Sequence, residues 1–148
     1  MERIILKGKI HFLGKHVNGE VFCNKTIDNT ITTAGKTLAA TLLYGTGTAY
    51  SALAIGSSSG GTTALSAEIL TSGGLRRGDA DVTKSNPSGA IAQWLTLFTF
   101  TGALAITEEG IFNSSVSSSG TMLACQTFGA INVVDTDTLQ VTHQVTLS

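Results

Sequence analysis

Charge is scarce in this chain: only 13% of its 148 residues are Asp, Glu, Lys or Arg, about half of the roughly 25% common in soluble domains. With 42% hydrophobic residues and a mean hydropathy of +0.25, that scarcity excludes intrinsic disorder, which combines high charge with few apolar side chains. Cysteine occurs twice, at Cys23 and Cys125, too few and too far apart for a disulfide framework or a zinc site. Both read as buried apolar residues, with a bridge between them as the lesser alternative. Proline occurs once, at Pro87. No apolar run approaches the roughly 18 to 20 residues that span a bilayer. Met1-Glu2-Arg3 leads into a strand-like segment without a signal-peptide apolar core, so the expectation is a soluble product of the cytoplasm with no membrane partner. The length, at 15.3 kDa, fits a single β domain over residues 1–148.

What the chain does have is small residues: 22 Thr, 14 Ser, 15 Ala and 17 Gly. A surface made of these is poorly protected against association, and the centres of protein interfaces are depleted of charge in the same way. The expectation is that other protein covers much of the outside. The net charge of −1 also divides unevenly. Residues 1–84 hold all nine Lys and Arg against six acids, whereas residues 85–148 hold only Glu108, Glu109, Asp135 and Asp137. This split predicts a dipolar molecule whose ends attract copies or other partners. Arg3, Lys7, Lys9, Lys15 and Lys25, with His11 and His16, crowd the first 25 residues. Two readings stay open for residues 1–16, a solvated strand face or an extended basic arm anchoring on an acidic scaffold. Direct nucleic-acid binding is not expected, because the pI is near 6.3 and no aromatics interleave the bases.

The pattern along the chain is mostly β. Arg3 to Phe12 alternates and stops at Gly14, Asn18-Gly19 signals a hairpin, and Glu20 to Thr26 returns. Thr32 or Thr33 caps one helix of about eleven residues, with Ala34, Leu38, Ala39, Leu42 and Leu43 at helical spacing and Gly45 closing it. Tyr50 to Ile55 reads as a short buried strand, Ala64 to Ile69 as one helical turn, Gly74 to Lys84 as a weak strand and Asn86-Pro87-Ser88-Gly89 as a turn. In Ala90 to Thr101, Trp94, Thr96, Phe98 and Phe100 share one face while Leu95 and Leu97 take the other, which predicts a strand covered on both sides. Leu104 to Phe112 and Thr121 to Phe128 follow, and Leu139, Val141, His143, Val145 and Leu147 alternate along the last strand. The fold class expected is mainly β, an antiparallel sandwich or jelly-roll-like barrel with one short α-helix. With no Lys or Arg after Lys84, its strand edges lack the usual guards, so partner chains are expected to occupy them.

Gly56-Ser57-Ser58-Ser59-Gly60 fits a nucleophile-elbow pattern, and Asp135 or Asp137 then His143 complete a Ser, Asp, His order. The chain is too short and too β-rich for the parallel sheet that this motif serves, and no oxyanion loop precedes it. No catalytic residues are assigned. Ala34-Gly35-Lys36-Thr37 resembles the end of a phosphate loop, but Thr30 stands where the first glycine belongs. His11 and His16 lack carboxylates to complete a metal site, and the adjacent Glu108 and Glu109 point to opposite faces, so neither a metal nor an acid–base pair is expected. No cofactor is expected.

Four stretches, taken in order, resemble a family of small structural proteins from the virions of tailed bacteriophages: Asn29 to Leu38, Leu53 to Ser57 with Leu65 to Ile69, Phe98 to Phe100 with Ile106 to Phe112, and Gly120 to Ala124 through Asp137 to Thr142. The resemblance implies a non-enzymatic β-sandwich of the virion. The leading expectation is a capsid decoration, or cement, protein on the outer surface of the head, a homotrimer whose partners are the major capsid protein and copies of itself. Arg3, Lys7, Lys9 and Lys15 are the expected contact residues. A tail, neck or fibre component, one that joins virion parts or touches the host surface, is the alternative; an exposed aromatic patch at Trp94 or Tyr50 would favour it.

Overall fold

A computed structural model describes all residues except 1–3, 59, 60, 62 and 79. Eight strands and one helix follow in the order β1 (Leu6–Lys15), β2 (Val21–Ile31), α1 (Thr33–Leu43), β3 (Ala52–Gly56), β4 (Thr83–Ser88), β5 (Ile91–Thr99), β6 (Leu104–Phe112), β7 (Met122–Val133) and β8 (Thr138–Leu147). Every strand pairing is antiparallel, and the strands form one curled sheet in the order β3-β6-β7-β2-β1-β8-β5-β4. The mainly β architecture with one short helix is the class that the sequence predicts.

The alternation in β1 and β8 explains the curl. Ile10, Phe12, Leu139, Val141, His143 and Val145 are buried on the concave side, where Phe98, Ile106, Ile111 and Ile131 arrive from the other strands to close the core. Lys7, Lys9, His11 and Lys15 take the opposite face of β1. The joint between the two halves is narrow: β2 meets β7 only at Thr30↔Cys125 and Ile31↔Ala124. Directly after that joint Thr32 caps α1, its Oγ1 accepting from the Gly35 N–H at 2.8 Å. Gly35 allows the helix to lie on β7, since a Cβ there would run into the Leu123 backbone.

Several sequence expectations need correction. Residues 6–15 are not a free arm. They form a strand held on both sides, by β2 and by β8, because their apolar alternation belongs to the core. β2 runs five residues beyond Thr26, to Ile31. Residues 64–69 are a bend ending in an isolated bridge, Gly56↔Glu68, rather than a helical turn. Among the described residues of the weak strand expected over 74–84, only Thr83 and Lys84 are strand; β4 continues through Pro87 with a register shift between Ser85 and Ser88. Leu97 is 47% exposed, so the outer face of β5 is not covered by this chain.

The sheet edges are guarded internally. Residues 67–69 pair along β3, through Ser57 N–H to Ala67 O and Ile69 N–H to Ile55 O at 2.9 Å each. β4 is exposed throughout but carries Lys84 and Pro87, and proline donates no ladder hydrogen bond. Where β2 leaves β7, Lys25 points inward, its Nζ lying 5.8 Å from the Phe12 ring centre and 5.1 Å from that of Phe128. An inward-pointing cation blocks strand addition at such an edge. The expectation that partner chains occupy the edges therefore loses its basis.

Candidate interaction surface and buried polar clusters

Three of the four expected contact residues, Lys7, Lys9 and Lys15, are exposed on one face of β1; Arg3 lies outside the described residues. Alternate residues on a strand stand about 7 Å apart, so the row from Lys7 to Lys15 is about 27 Å long. His11 sits within it, its Nε2–H donating to Asn24 Oδ1 at 2.8 Å. On one side the row borders the neutral ladder Thr138, Gln140, Thr142, Gln144 and Thr146 of β8, and on the other Asn24, Thr26 and Asp28 of β2. None of the three lysines makes an ion pair among the described residues. Lys7 and Lys9 stand within one Debye length of each other, so their potentials add. A shallow polar depression of about 280 Å³ lies between Lys9, His11, Thr26, Thr142 and Gln144. Lys25 does not belong to the row, because it closes the edge of the core instead.

The acidic half of the sequence is not an acidic surface. Glu108, Glu109 and Asp137 are buried, and only Asp135 of the four acids is exposed. Glu109 and Glu108 do point to opposite sides. Glu109 accepts from His143 Nδ1 at 2.8 Å, and His143 Nε2 accepts from Asn29 Nδ2 at 2.9 Å, a network that fixes the Nδ1–H tautomer. Gly8 makes room for it, since a Cβ there would overlap the Asn29 amide. Glu108 instead accepts from the backbone N–H groups of Ser66 and Ala67. Asp137 accepts from His16 Nδ1–H at 2.8 Å and from Val134 N–H at 3.0 Å, tying the β1–β2 hairpin to the β7–β8 turn. Burial acts to raise its carboxyl pKa, but the hydrogen bonds from His16 and the Val134 backbone, with the charge of His16, outweigh burial and hold it below the ordinary value.

A second cluster centres on Arg77, which is 2% exposed. Its Nε and Nη2 fork onto Glu68 at 2.6 and 2.8 Å, and its Nη1 donates to the carbonyls of Ser114, Val116 and Ser119 at 3.0 to 3.1 Å. The guanidinium lies 3.9 Å from the Phe112 ring centre. Glu68 also accepts from Ser118 N–H. Every polar atom of this arginine head is engaged, so the cluster locks two loops together. The sequence reading missed it, because Asp79 and Asp81 stand nearer to Arg77 in sequence than Glu68 does, and nothing local says which acid an arginine in a glycine-rich loop will meet.

The serine pattern assembles no catalytic group among the described residues. Both ring nitrogens of His143 are committed to Glu109 and Asn29, Asp137 is committed to His16, and Ser58 contributes only its carbonyl oxygen, to Thr107. Ser59 and Gly60 lie outside the described residues. Cys23 and Cys125 are free thiols. Burial raises both; Lys25 partly offsets this at Cys23, whereas Glu109 and Glu108 add to it at Cys125. Tyr50, buried with its hydroxyl donating to Gly35 O, is pushed up to about 12. Among the described residues no three His, Cys, Asp or Glu side chains gather as metal ligands, and no helix is long and apolar enough to cross a membrane. Comparison with family models, with curated proteins and with solved structures finds no match to this chain.

Proposed function

We propose that the protein is a structural component of a tailed-bacteriophage virion, a capsid decoration protein that docks by the outer face of β1 onto an acidic patch of the major capsid protein and also contacts copies of itself. One observation carries the reading: Lys7, Lys9 and Lys15 stand in a row on an otherwise nearly uncharged face, while three of the four carboxylates in the second half are used internally. A row of cations in a neutral surround gives register and orientation to a complementary anionic surface. The histidine and acid side chains that a hydrolase would use, His143 and Asp137, are bound to other partners, which supports a role without catalysis. Trp94 and Tyr50, the aromatics expected to favour a tail or fibre role if exposed, are buried.

Co-sedimentation tests the reading. Purified protein is mixed separately with undecorated phage heads and with isolated tails, at low and at high salt. Binding to heads that weakens with salt, and that the K7S/K9S/K15S variant loses, supports it. Pelleting with tails alone, or head binding indifferent to both salt and the triple substitution, overturns it.

A further inference from the structure

The two ends of the β1–β8 ladder carry surfaces of opposite chemistry. At one end the strand termini are zipped together, Ile5 N–H to Ser148 O and Ser148 N–H to Ile5 O, and α1 lies alongside. Between them runs a groove of about 460 Å³ lined by Ile4, Ile5, Ala40, Leu43 and Leu147, with Lys36 as the one charged side chain among the described residues of its lining. That volume falls within the roughly 300–1,000 Å³ of built ligand and anchor sites. Ile4 and Leu43 are 70% and 77% exposed, and Lys36 makes no ion pair among the described residues. At the other end, about 33 Å away along ten-residue strands, the β1–β2 hairpin and the β7–β8 turn meet through the His16–Asp137 contact. This tip presents Val17 at 80% and Val134 at 53% exposure, beside the exposed carboxylates of Glu20 and Asp135, which form no ion pair among the described residues either.

We propose that the groove at the α1 end receives the tip of a second copy of this chain, Val17 and Val134 filling the apolar floor and Asp135 meeting Lys36. Apolar surface faces apolar surface and the charges are of opposite sign, a match that neither end makes with itself. Groove against groove would bring two Lys36 side chains together, and tip against tip would bring the carboxylates together. The contact is heterologous, so copies join head to tail and close into a ring, such as a trimer, when the rotation between them permits, and otherwise stack openly. It names surfaces for the self-association in the proposed function and rests on that part of the reading alone, not on head binding.

The test is sedimentation equilibrium from about 1 µM to about 1 mM, the span of weak to moderate affinities, on the full chain and on variants at exposed positions, with thermal unfolding as the check on folding. Ala40→Glu, which places a bulky anion in the groove, is expected to weaken association about tenfold or more. Lys36→Glu and Asp135→Lys are each expected to weaken it about three- to tenfold, and K36E/D135K in one chain to restore it, because each reversed charge again meets its opposite across the interface. A monomer throughout the range overturns the proposal and the self-association in the proposed function together. Association that responds to K36E but not to D135K marks a groove-to-groove contact, and association indifferent to all the variants marks a different interface; both overturn the head-to-tail contact while leaving self-association standing.

Discussion

Replacing Arg77 by Met is the sharpest probe of what holds the irregular half of the fold. Methionine keeps an apolar contact with Phe112 but removes the guanidinium that satisfies Glu68 and three loop carbonyls. The Glu68 side chain is only 6% exposed, so its carboxylate is left buried with the Ser118 N–H as its remaining donor among the described residues. Breaking a buried pair from one side costs about 3–5 kcal/mol, a large share of the roughly 5–15 kcal/mol that a domain has in total. At about 2–4 °C per kcal/mol for a chain of this size, the melting temperature falls by about 6–20 °C. Thermal and urea unfolding measure the loss, and amide exchange at Ser118 shows whether residues 114–119 open first. Neutralising the stranded acid separates this mechanism from mere cavity formation. R77M/E68Q recovers part of the loss, because the uncompensated charge is gone while an acceptor for Ser118 remains. A loss under 1 kcal/mol for R77M, or a double variant as unstable as the sum of the two single ones, refutes the reasoning.

Asp137, whose folded pKa lies below its unfolded value, contributes stability that is present above the unfolded value near 3.9 and is lost as pH falls through the lower folded one. Asp137→Asn is therefore expected to lower stability at pH 6 and to flatten its fall below pH 4, as followed by urea unfolding across pH; an unchanged acid limb contradicts this. His143→Phe leaves Glu109 buried without its donor and is expected to cost on the order of 3 kcal/mol by chemical denaturation; a neutral result would show that Glu109 finds another partner. The thiols of Cys23 and Cys125, raised by burial, are expected to react with a disulfide reagent at pH 7.5 at least about tenfold more slowly in the folded chain than in urea, with two free thiols counted in both states; rapid labelling of the folded chain refutes it.

The regular elements were legible because their signals are local. Alternation from Leu139 to Leu147 fixes β8, Asn18-Gly19 marks the β1–β2 hairpin, and Thr32 with its four-residue apolar spacing fixes α1. The lysine row was visible as charge, and its parity on β1 follows from the same alternation. The role of its strand was not, because a basic composition hides the apolar positions Ile10 and Phe12 that place β1 mid-sheet. The buried ionic groups were illegible for a different reason. Glu109 meets His143 across 34 residues and His16 meets Asp137 across 121, distances over which composition reports a charge but not its partner. The inferred dipole failed on that point. The edge guards were missed likewise: Pro87 reads as a turn until the pairings on either side of it, Ser85↔Gln93 and Ser88↔Ile91, are known.

The two-pair seam between β2 and β7 has a mechanical corollary. Each half of the sheet keeps a long continuous ladder, yet so few rungs cross the middle that the halves are coupled chiefly by packed side chains. Shape at the crease is thus kept by side-chain volume and not by backbone pairing, so a methylene lost from that packing is felt by both flanks at once.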